Sequence, residues 1–321
     1  MKIIILISLV LILLAILLPA LLIGHQTVVE FPDPHLRAAV RVAIDKPSGD
    51  IYLSDLEGLT SLNARVGPVA NLTGLEQCAN LTSLSLRVSG LPDFSPLANH
   101  TSLRSLDLSG NALSDISPLS GLIQLTSLNL SYNRITDVSP LSNITCLSEL
   151  HLAENGLTDL RPLAGLTDMT SLTLFRNRLS ELSPLGNMTS MKTLLLRENQ
   201  ISDISPLGNM TRLETLHLSE NLVTDISPLS GLANLTGIYL SCNMIGDISP
   251  LLENSGLGNT TKLYLYGNPL SDTSVELYIQ ELERRGVPVG YTPGQGPEIC
   301  QREPGAVDRD QRSGSTNHVY H

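Results

Sequence analysis

Basic residues are scarce in this sequence. Among its 321 residues, 20 are Lys or Arg and 31 are Asp or Glu, which gives a formal net charge of −11. No large basic cluster occurs anywhere in the chain. Because a surface that binds nucleic acid needs a basic stripe to neutralise phosphates, we expect no nucleic acid among the partners.

Catalytic signatures are absent as well. The sequence contains no H-E-x-x-H zinc motif, no G-x-S-x-G nucleophile motif and no glycine-rich phosphate-binding loop. We therefore expect neither enzymatic activity nor a cofactor.

Aromatic residues make up 3% of the chain and none of them is Trp. Leu, Ser and Asn are abundant instead, and they recur in a unit that reads L-x-x-L-x-L-x-x-N-x-L/I-x-D-I-S-P-L-x-x-L-x-x. The Asn positions show a 22-residue interval, with one final unit of 25 residues: Asn111, Asn133, Asn155, Asn177, Asn199, Asn221, Asn243 and Asn268. Self-similarity at a period of 20–29 residues is the signature of a leucine-rich repeat solenoid.

Each part of the unit has a physical role. In L-x-x-L-x-L, apolar and polar residues alternate, which suits a short strand with one buried face. The Asn side chain can bond backbone groups that would otherwise be buried and unpaired. Ser-Pro resembles an N-cap followed by Pro at the first helical position, so a short turn should begin there. The predicted fold is an α/β solenoid, with a parallel sheet on the concave face, short 3₁₀ or helical turns on the convex face, and helical caps at both ends.

The repeated D-I-S-P-L, as in Asp115–Leu119, closely resembles the 22-residue leucine-rich repeats of the internalin family. The segments 31–36 (FPDPHL) and 46–51 (KPSGDI) are similar to the amino-terminal caps of internalin-like proteins. The resemblance covers roughly residues 30–291. It implies a leucine-rich repeat binding module, and it suggests adhesion without specifying a ligand.

Residues 1–24 contain an apolar run from Ile3 to Ile23. At ~1.5 Å per residue such a run is about 31 Å long, enough to cross a hydrocarbon core of ~30 Å. A cleaved signal peptide normally has a shorter apolar region and an A-x-A-like site, which this run lacks. We expect a transmembrane signal-anchor at residues 3–23, with a cleaved signal peptide as the alternative. Lys2 precedes the run, so the repeats should lie outside the cytoplasm.

The remaining boundaries follow the repeat pattern. Residues 25–58 should form a helical cap, with Asp33 as the N-cap of a helix that begins at Pro34. Residues 59–268 form about ten repeats of 22 residues, and three extra residues around 253–259 should produce a local bulge. Residues 269–291 should form a closing helix and strand, with a capping box at 273–276. Residues 292–321 have almost no apolar content and should be disordered.

The four cysteines are not spaced as a disulfide framework. Cys78 and Cys146 lie about three repeats apart, ~14 Å at ~4.8 Å per stacked strand, whereas a disulfide joins Cα atoms less than ~7 Å apart. Cys242 is farther still, and only Cys300 could reach another thiol. We expect no intramolecular disulfide. His151 and His217 are also ~14 Å apart by the same spacing, so we expect no metal site.

An acidic residue recurs two positions before each Ser/Arg-Pro or equivalent turn: Asp93, Asp115, Asp137, Asp159, Glu181, Asp203, Asp225 and Asp247. Two interpretations are open. Each carboxylate could accept backbone N–H bonds within its own turn, or the column could bind calcium. One carboxylate per turn is too sparse for the roughly 6–8 oxygen ligands that calcium takes, which favours the local interpretation.

The outward strand positions should line the concave face. In the early units they are mostly Ser and Asn, whereas the later units carry aromatic residues, His and Arg: His151, Phe175, Arg176, Arg197, His217, Tyr239, Tyr264 and Tyr266. Exposed aromatic and Arg side chains are typical of binding hot spots, although repeat surfaces can also vary without function. We expect an extracytoplasmic, membrane-anchored module that binds a protein or glycan. The alternatives are a structural component of the cell envelope with no specific ligand, and a regulatory interaction scaffold.

Overall fold

The computed structural model describes residues 27–64, 67–87, 90–91, 93–292, 294 and 300, and within these residues eleven parallel strands form one sheet whose order follows the chain. The strands are β1 Ser61–Asn63, β2 Ser83–Ser85, β3 Ser105–Asp107, β4 Ser127–Asn129, β5 Glu149–His151, β6 Ser171–Thr173, β7 Thr193–Leu195, β8 Thr215–His217, β9 Gly237–Tyr239, β10 Lys262–Tyr264 and β11 Val289–Gly290. The predicted leucine-rich repeat solenoid is confirmed.

Neighbouring strands pair with equivalent residues opposite each other, as Leu128 pairs with Leu150 and Leu150 with Leu172. The middle residue of each of β1–β10 is buried. The aliphatic side chains of successive units therefore stack in columns, and they form one continuous core along the solenoid. A single unit has nothing against which to bury this apolar face, so each unit depends on its neighbours.

Short turns lie on the convex side. They are 3₁₀ helices at Leu75–Gln77, Ser95–Asn99, Ser117–Leu119, Ser139–Leu141, Arg161–Leu163, Ser183–Leu185, Ser205–Asn209 and Ser227–Leu229, and helix α3 at Ser249–Glu253 replaces this turn in the longest unit. The prediction that Ser is the N-cap was wrong by one residue. Ser117, for example, is the first residue of its turn, and Asp115 Oδ1 accepts its N–H at 2.8 Å.

The acidic column therefore acts locally. Equivalent carboxylate-to-backbone bonds of 2.8 Å occur at Asp93, Asp115, Asp137, Asp159, Asp203, Asp225 and Asp247. The N–H donated by Ser95 lowers the pKa of Asp93, and the N–H donated by Ser205 lowers that of Asp203. These bonds confirm the local interpretation of the column.

The recurring Asn joins adjacent units through buried backbone groups. Asn177 Nδ2 donates to the carbonyl oxygens of Leu152 and Leu174 at 3.0 Å each, and its Oδ1 accepts the N–H of Leu157 at 3.0 Å. The same pattern holds for the Asn residues of the other regular units, such as Asn221. The predicted role of this side chain is confirmed.

The extra residues after Asp247 are absorbed without a change of strand register, because Tyr264 still pairs with Tyr239. Asn254, which is buried, donates from Nδ2 to the carbonyl oxygens of Leu229 and Leu232 at 2.8 and 3.1 Å. Gly256 lies directly against the backbone carbonyl of Ala233, where a Cβ atom would clash. The insertion is therefore a local feature, as the sequence predicted.

At the amino-terminal end, helix α1 (Pro34–Ala43) and helix α2 (Leu53–Leu56) form the cap, and Val28 makes an antiparallel bridge with Tyr52. Asp33 is the N-cap of α1, as predicted. Its Oδ2 also accepts the N–H of Ala70 at 2.8 Å, so this one carboxylate joins the cap to the first repeat.

At the carboxyl-terminal end, a π-helical turn at Ser274–Tyr278 continues into α4 (Ile279–Arg284). Gly286 follows the helix with a positive φ of 84°. The predicted capping box was wrong. Thr273 makes no side-chain capping bond. Ser271 Oγ accepts the N–H of Ser274 at 3.2 Å instead.

Cys242 and Cys300 form a disulfide, with Cα atoms 5.8 Å apart. The expectation of no intramolecular disulfide was therefore wrong. Strand spacing correctly separated Cys78 from Cys146, both of which are free. It gave no information about Cys300, which follows the last strand and lies beside the repeat that carries Cys242.

The predicted membrane segment at residues 1–24 lies outside the described residues, and so does the predicted disordered tail apart from Thr292, Gly294 and Cys300. Among the helices in the described part of the chain, none combines the length and apolar character needed to cross a membrane.

Replacement of Asn177 by Ala should lower the free energy of unfolding by roughly 1–3 kcal/mol, because it leaves buried backbone groups without partners. Glu181→Gln is the matched control, since Glu181 is exposed in the same unit and should change little. Thermal or chemical unfolding of the two variants measures the difference. Equal shifts would contradict the structural role assigned to Asn177.

Candidate functional site

The third residue of each strand faces the concave side of the solenoid and forms one column across the sheet. From β3 to β10 this column consists of Asp107, Asn129, His151, Thr173, Leu195, His217, Tyr239 and Tyr264. Its early members are polar and its last three carry rings. The predicted difference between early and late units is therefore present on the folded surface.

His217, Tyr239, Tyr264 and Tyr266 form what we call the aromatic row. Ring centroids are 4.8 Å apart between His217 and Tyr239, and 5.3 Å apart between Tyr239 and Tyr264. The corresponding ring planes differ by 7° and 18°. Tyr266 stacks on Tyr264 at 6.1 Å. Strand spacing of ~4.8 Å sets the first two distances, which join adjacent strands, whereas Tyr266 follows Tyr264 in the same repeat.

Burial raises the pKa of Tyr239 above its usual value, and a nearby charge on Tyr264 would raise it further. The hydroxyl of Tyr239 therefore stays protonated in neutral solution and can donate a hydrogen bond to a ligand. The row combines apolar ring surface with polar tips, which is the property that enriches Tyr in interfaces.

A second group of residues, which we call the charge ladder, borders the row. Its members alternate between acidic and basic residues, in the order Glu154, Arg176, Glu198, Arg197 and Glu220. Arg176 bonds Glu154 at 2.5 Å and Glu198 at 2.8 Å. Arg197 approaches Glu198 at 3.1 Å and Glu220 at 2.8 Å. The carboxylates of Glu198 and Glu154 raise the pKa of Arg176, so each guanidinium is fixed between two carboxylates.

Four members of the ladder occupy a strained backbone position. The residue before the recurring Asn has positive φ in every regular unit, with values of 51–60° at Glu154, Arg176, Glu198, Glu220 and also Tyr132. Left-handed backbone is unfavourable for residues other than Gly by roughly 1–2 kcal/mol. Any residue other than Gly at this position therefore carries a local cost.

Between the row and the ladder the surface forms a depression of about 320 Å³, lined by Tyr132, Phe175, Arg176, Leu195, Arg197, Glu198 and His217. Tyr132 meets the Phe175 ring edge-on, with centroids 6.5 Å apart. Phe175 and Leu195 are half-buried. The depression thus combines apolar side chains with paired charges.

The structure brings most of the sequence-predicted residues together. Phe175, Arg176, Arg197 and His217 line the depression, and Tyr239, Tyr264 and Tyr266 continue from it along the row. His151 lies apart, because Thr173 and Leu195 separate it from His217 in the same column. Its Nδ1 lies 2.9 Å from Thr173 Oγ1. That these residues bind a ligand remains a prediction.

Sequence reasoning did not select Glu154, Glu198, Glu220, Tyr132 or Leu195. A signal was available for the carboxylates, because Glu154 and Glu198 lie one repeat before and one repeat after Arg176. Equivalent positions in adjacent units face each other across strands at ~4.8 Å. Opposite charges at that interval therefore indicate a ladder of ion pairs.

Burial lowers the pKa of His151, and the nearby carboxylates Glu149 and Asp107 only partly oppose this effect. The unfolded chain keeps a His pKa of ~6.5, so it takes up the proton first as the pH falls. His151 therefore makes the protein less stable as the pH drops below ~6.5, until the folded-state pKa is also passed.

We expect His151→Asn to remove part of this acid sensitivity, since Asn129 occupies the same column in the preceding unit. Thermal unfolding of both proteins between about pH 7 and pH 5 measures the effect, and Tm should fall less in the variant. Parallel pH profiles would contradict the assignment.

The known proteins that resemble this chain are leucine-rich repeat proteins and internalins. The model of a pair of leucine-rich repeats matches residues 101–143, 189–231 and 211–253. The crystal structure of internalin C2 from Listeria monocytogenes is 38% identical, with a TM-score of 0.64, and the match covers 66% of this chain and 94% of that one. No curated protein matches the chain.

Two further structures resemble the chain. An internalin (inlF) from Listeria monocytogenes is 27% identical with a TM-score of 0.59, and the match covers 83% of this chain and 96% of that one. The ectodomain of the plant membrane receptor kinase GASSHO1/SCHENGEN3 from Arabidopsis thaliana, in complex with CASPARIAN STRIP INTEGRITY FACTOR 2, is 26% identical with a TM-score of 0.57. That match covers 66% of this chain and 27% of the receptor chain.

Proposed function

Since the chain belongs to the internalin-like family of leucine-rich repeat proteins, we propose that it is an extracytoplasmic, membrane-anchored module that binds a protein or glycan through the concave face of its later repeats. The repeats form a recognition module of the leucine-rich repeat type. Catalysis is not part of the proposal, because the sequence contains no catalytic motif.

The observation that carries the proposal is the aromatic row beside the charge ladder. Rings stacked across β8, β9 and β10 form a rigid surface with polar tips. Tyr and Arg are enriched in binding hot spots, where they provide most of the affinity. The sheet beneath them is continuous, so little conformational entropy would be lost when a ligand binds.

Two features support binding of a macromolecule outside the cytoplasm. The Cys242–Cys300 disulfide is typical of proteins in oxidising compartments. The plant receptor ectodomain that resembles this chain was solved in complex with CASPARIAN STRIP INTEGRITY FACTOR 2, which supports a protein partner for a repeat surface of this architecture.

The two alternatives predict different behaviour of the same surface. A structural component of the cell envelope with no specific ligand would not use the aromatic row. A regulatory scaffold inside the cell would need neither the apolar leader nor the disulfide. Substitutions on the concave face distinguish the structural alternative from the proposal. Whether the leader holds the protein in the membrane tests the intracellular scaffold.

We expect Tyr239→Ala, Phe175→Ala and Arg197→Ala to weaken capture of the partner from a native envelope extract. Truncation of a central anchor typically costs at least ~2 kcal/mol, or about thirtyfold in affinity. The bait is the chain from residue 25 to residue 321, so that Cys300 is kept. Ser83→Ala, Ser105→Ala and Ser127→Ala are the matched controls from the early units. Unchanged capture by all three anchor variants, with folding intact, would favour the structural alternative.

We expect residues 1–24 to remain on the mature protein and to hold it in the membrane fraction, because the apolar run is long enough to span a bilayer and lacks a cleavage site. Fractionation followed by amino-terminal sequencing measures this. A mature terminus near residues 24–29 would overturn the anchor and indicate a secreted protein.

A further inference from the structure

We propose that the depression receives one aromatic side chain of a protein partner, on a segment in which the neighbouring residues are basic. This inference rests on the proposed function, because it specifies the chemistry of the partner for the same concave face.

The depression includes the single aliphatic side chain in the column of third strand residues from β3 to β10. Leu195 stands between Thr173 and His217 in the column of third strand residues. Phe175 and Leu195 both contact the depression and are half-buried. Tyr132 is 52% exposed, and its ring stands edge-on to Phe175. Contiguous apolar surface that is rimmed by polar residues is a feature of interaction sites.

The size of the depression fits one side chain. Its volume of about 320 Å³ lies at the lower end of the range for small-molecule sites, ≈ 300–1,000 Å³. A depression of this size open to solvent can hold a single large side chain from a partner that covers it. Aromatic side chains are the residues that most often fill such central pockets.

The two Arg residues at the edge are already paired with carboxylates of this chain. Arg176 uses Nε and Nη1 for Glu198 and Glu154. Arg197 uses Nε and Nη2 for Glu220. A ligand carboxylate would compete with an internal carboxylate for either guanidinium. Each guanidinium can still offer its planar face to an aromatic ring, which is a favourable cation–π geometry.

The charge around the depression favours basic neighbours on the partner. The charge ladder contains three carboxylates and two guanidinium groups, so it has one negative charge in excess. The whole chain has a formal net charge of −11. Complementary potential steers association and disfavours partners of like charge. A Lys or Arg next to the aromatic anchor would meet this excess.

The aromatic row points to the same class of ligand. Its rings lie face to face at 4.8 and 5.3 Å, so their faces partly cover one another. A sugar ring packs on an exposed aromatic face, and the row offers few such faces. Ring edges carry partial positive charge and suit the faces of other aromatic rings and the oxygens of a polypeptide.

The absence of Trp from the chain permits a direct test. The probe is the peptide acetyl-Lys-Trp-Lys-amide, and its indole is the only Trp fluorophore in the mixture. We expect its emission to shift to shorter wavelength and to saturate as the full chain is added. Acetyl-Glu-Trp-Glu-amide, which differs only in the sign of its charges, should bind at least several-fold more weakly at low salt.

Leu195→Thr and Phe175→Ala should each weaken binding of the Lys-Trp-Lys peptide at least tenfold. Leu195→Thr introduces the side chain that Thr173 already supplies in this column, so the strand should fold, and circular dichroism checks this for both variants. Ser105→Ala, on the same face in an early unit, is the control and should bind as the unaltered chain does.

Three results would overturn the inference: no saturable shift, unchanged affinity in both folded variants, or equal binding of the acidic peptide. These outcomes differ from failure of the proposed function. Loss of partner capture by Tyr239→Ala, with capture retained by Leu195→Thr and Phe175→Ala, would leave the concave face as the binding surface and remove the aromatic pocket.

Discussion

Hydrogen bonds from the recurring Asn side chains to buried backbone are the constraint on which the rest of the structure depends. The chain must turn away from the sheet in every unit, and at that point its carbonyl and N–H groups lie in an apolar core. Asn177, for example, satisfies groups in two adjacent units. Because one residue type at a fixed interval solves this problem, the units can stack in strict register, and the outward positions are left to vary.

That division explains why the concave surface can change along the solenoid without disturbing the fold. The core columns stay aliphatic from one end to the other, whereas the third strand residue passes from Asp107 to Tyr264. Side chains brought into line by a strand spacing of ~4.8 Å interact with their equivalents one repeat away. The aromatic row and the charge ladder are both products of this repetition.

The fold could be predicted in detail from the sequence because every unit repeats the same physical solution. Individual sites were predicted less completely. The sequence indicated Phe175, Arg176 and Tyr239 as surface residues, since aromatic and Arg side chains are conspicuous among Ser and Asn. It did not single out Glu198, because a Glu resembles an ordinary solvated residue unless it is compared with the residue one repeat away.

The disulfide and the caps show where repeat reasoning ends. Cys300 lies beyond the last unit, so stacking distances could not place it, and its bond to Cys242 was missed. The capping oxygen of the closing helix belongs to Ser271, and not to the residue that the motif suggested. Terminal segments pack against the solenoid by particular contacts, which no period encodes.

The Cys242–Cys300 bond also affects which end of the solenoid should unfold first. In a stack of repeats each unit contacts only its neighbours, so local unfolding can begin at either end and spread inward. The bond closes a loop of 58 residues that includes β10, the closing helix and β11, and a covalent closure of that kind limits the freedom gained when those elements separate. We therefore expect fraying to begin at the amino-terminal cap, and Tyr264 and Tyr266 lie at the end that the bond closes.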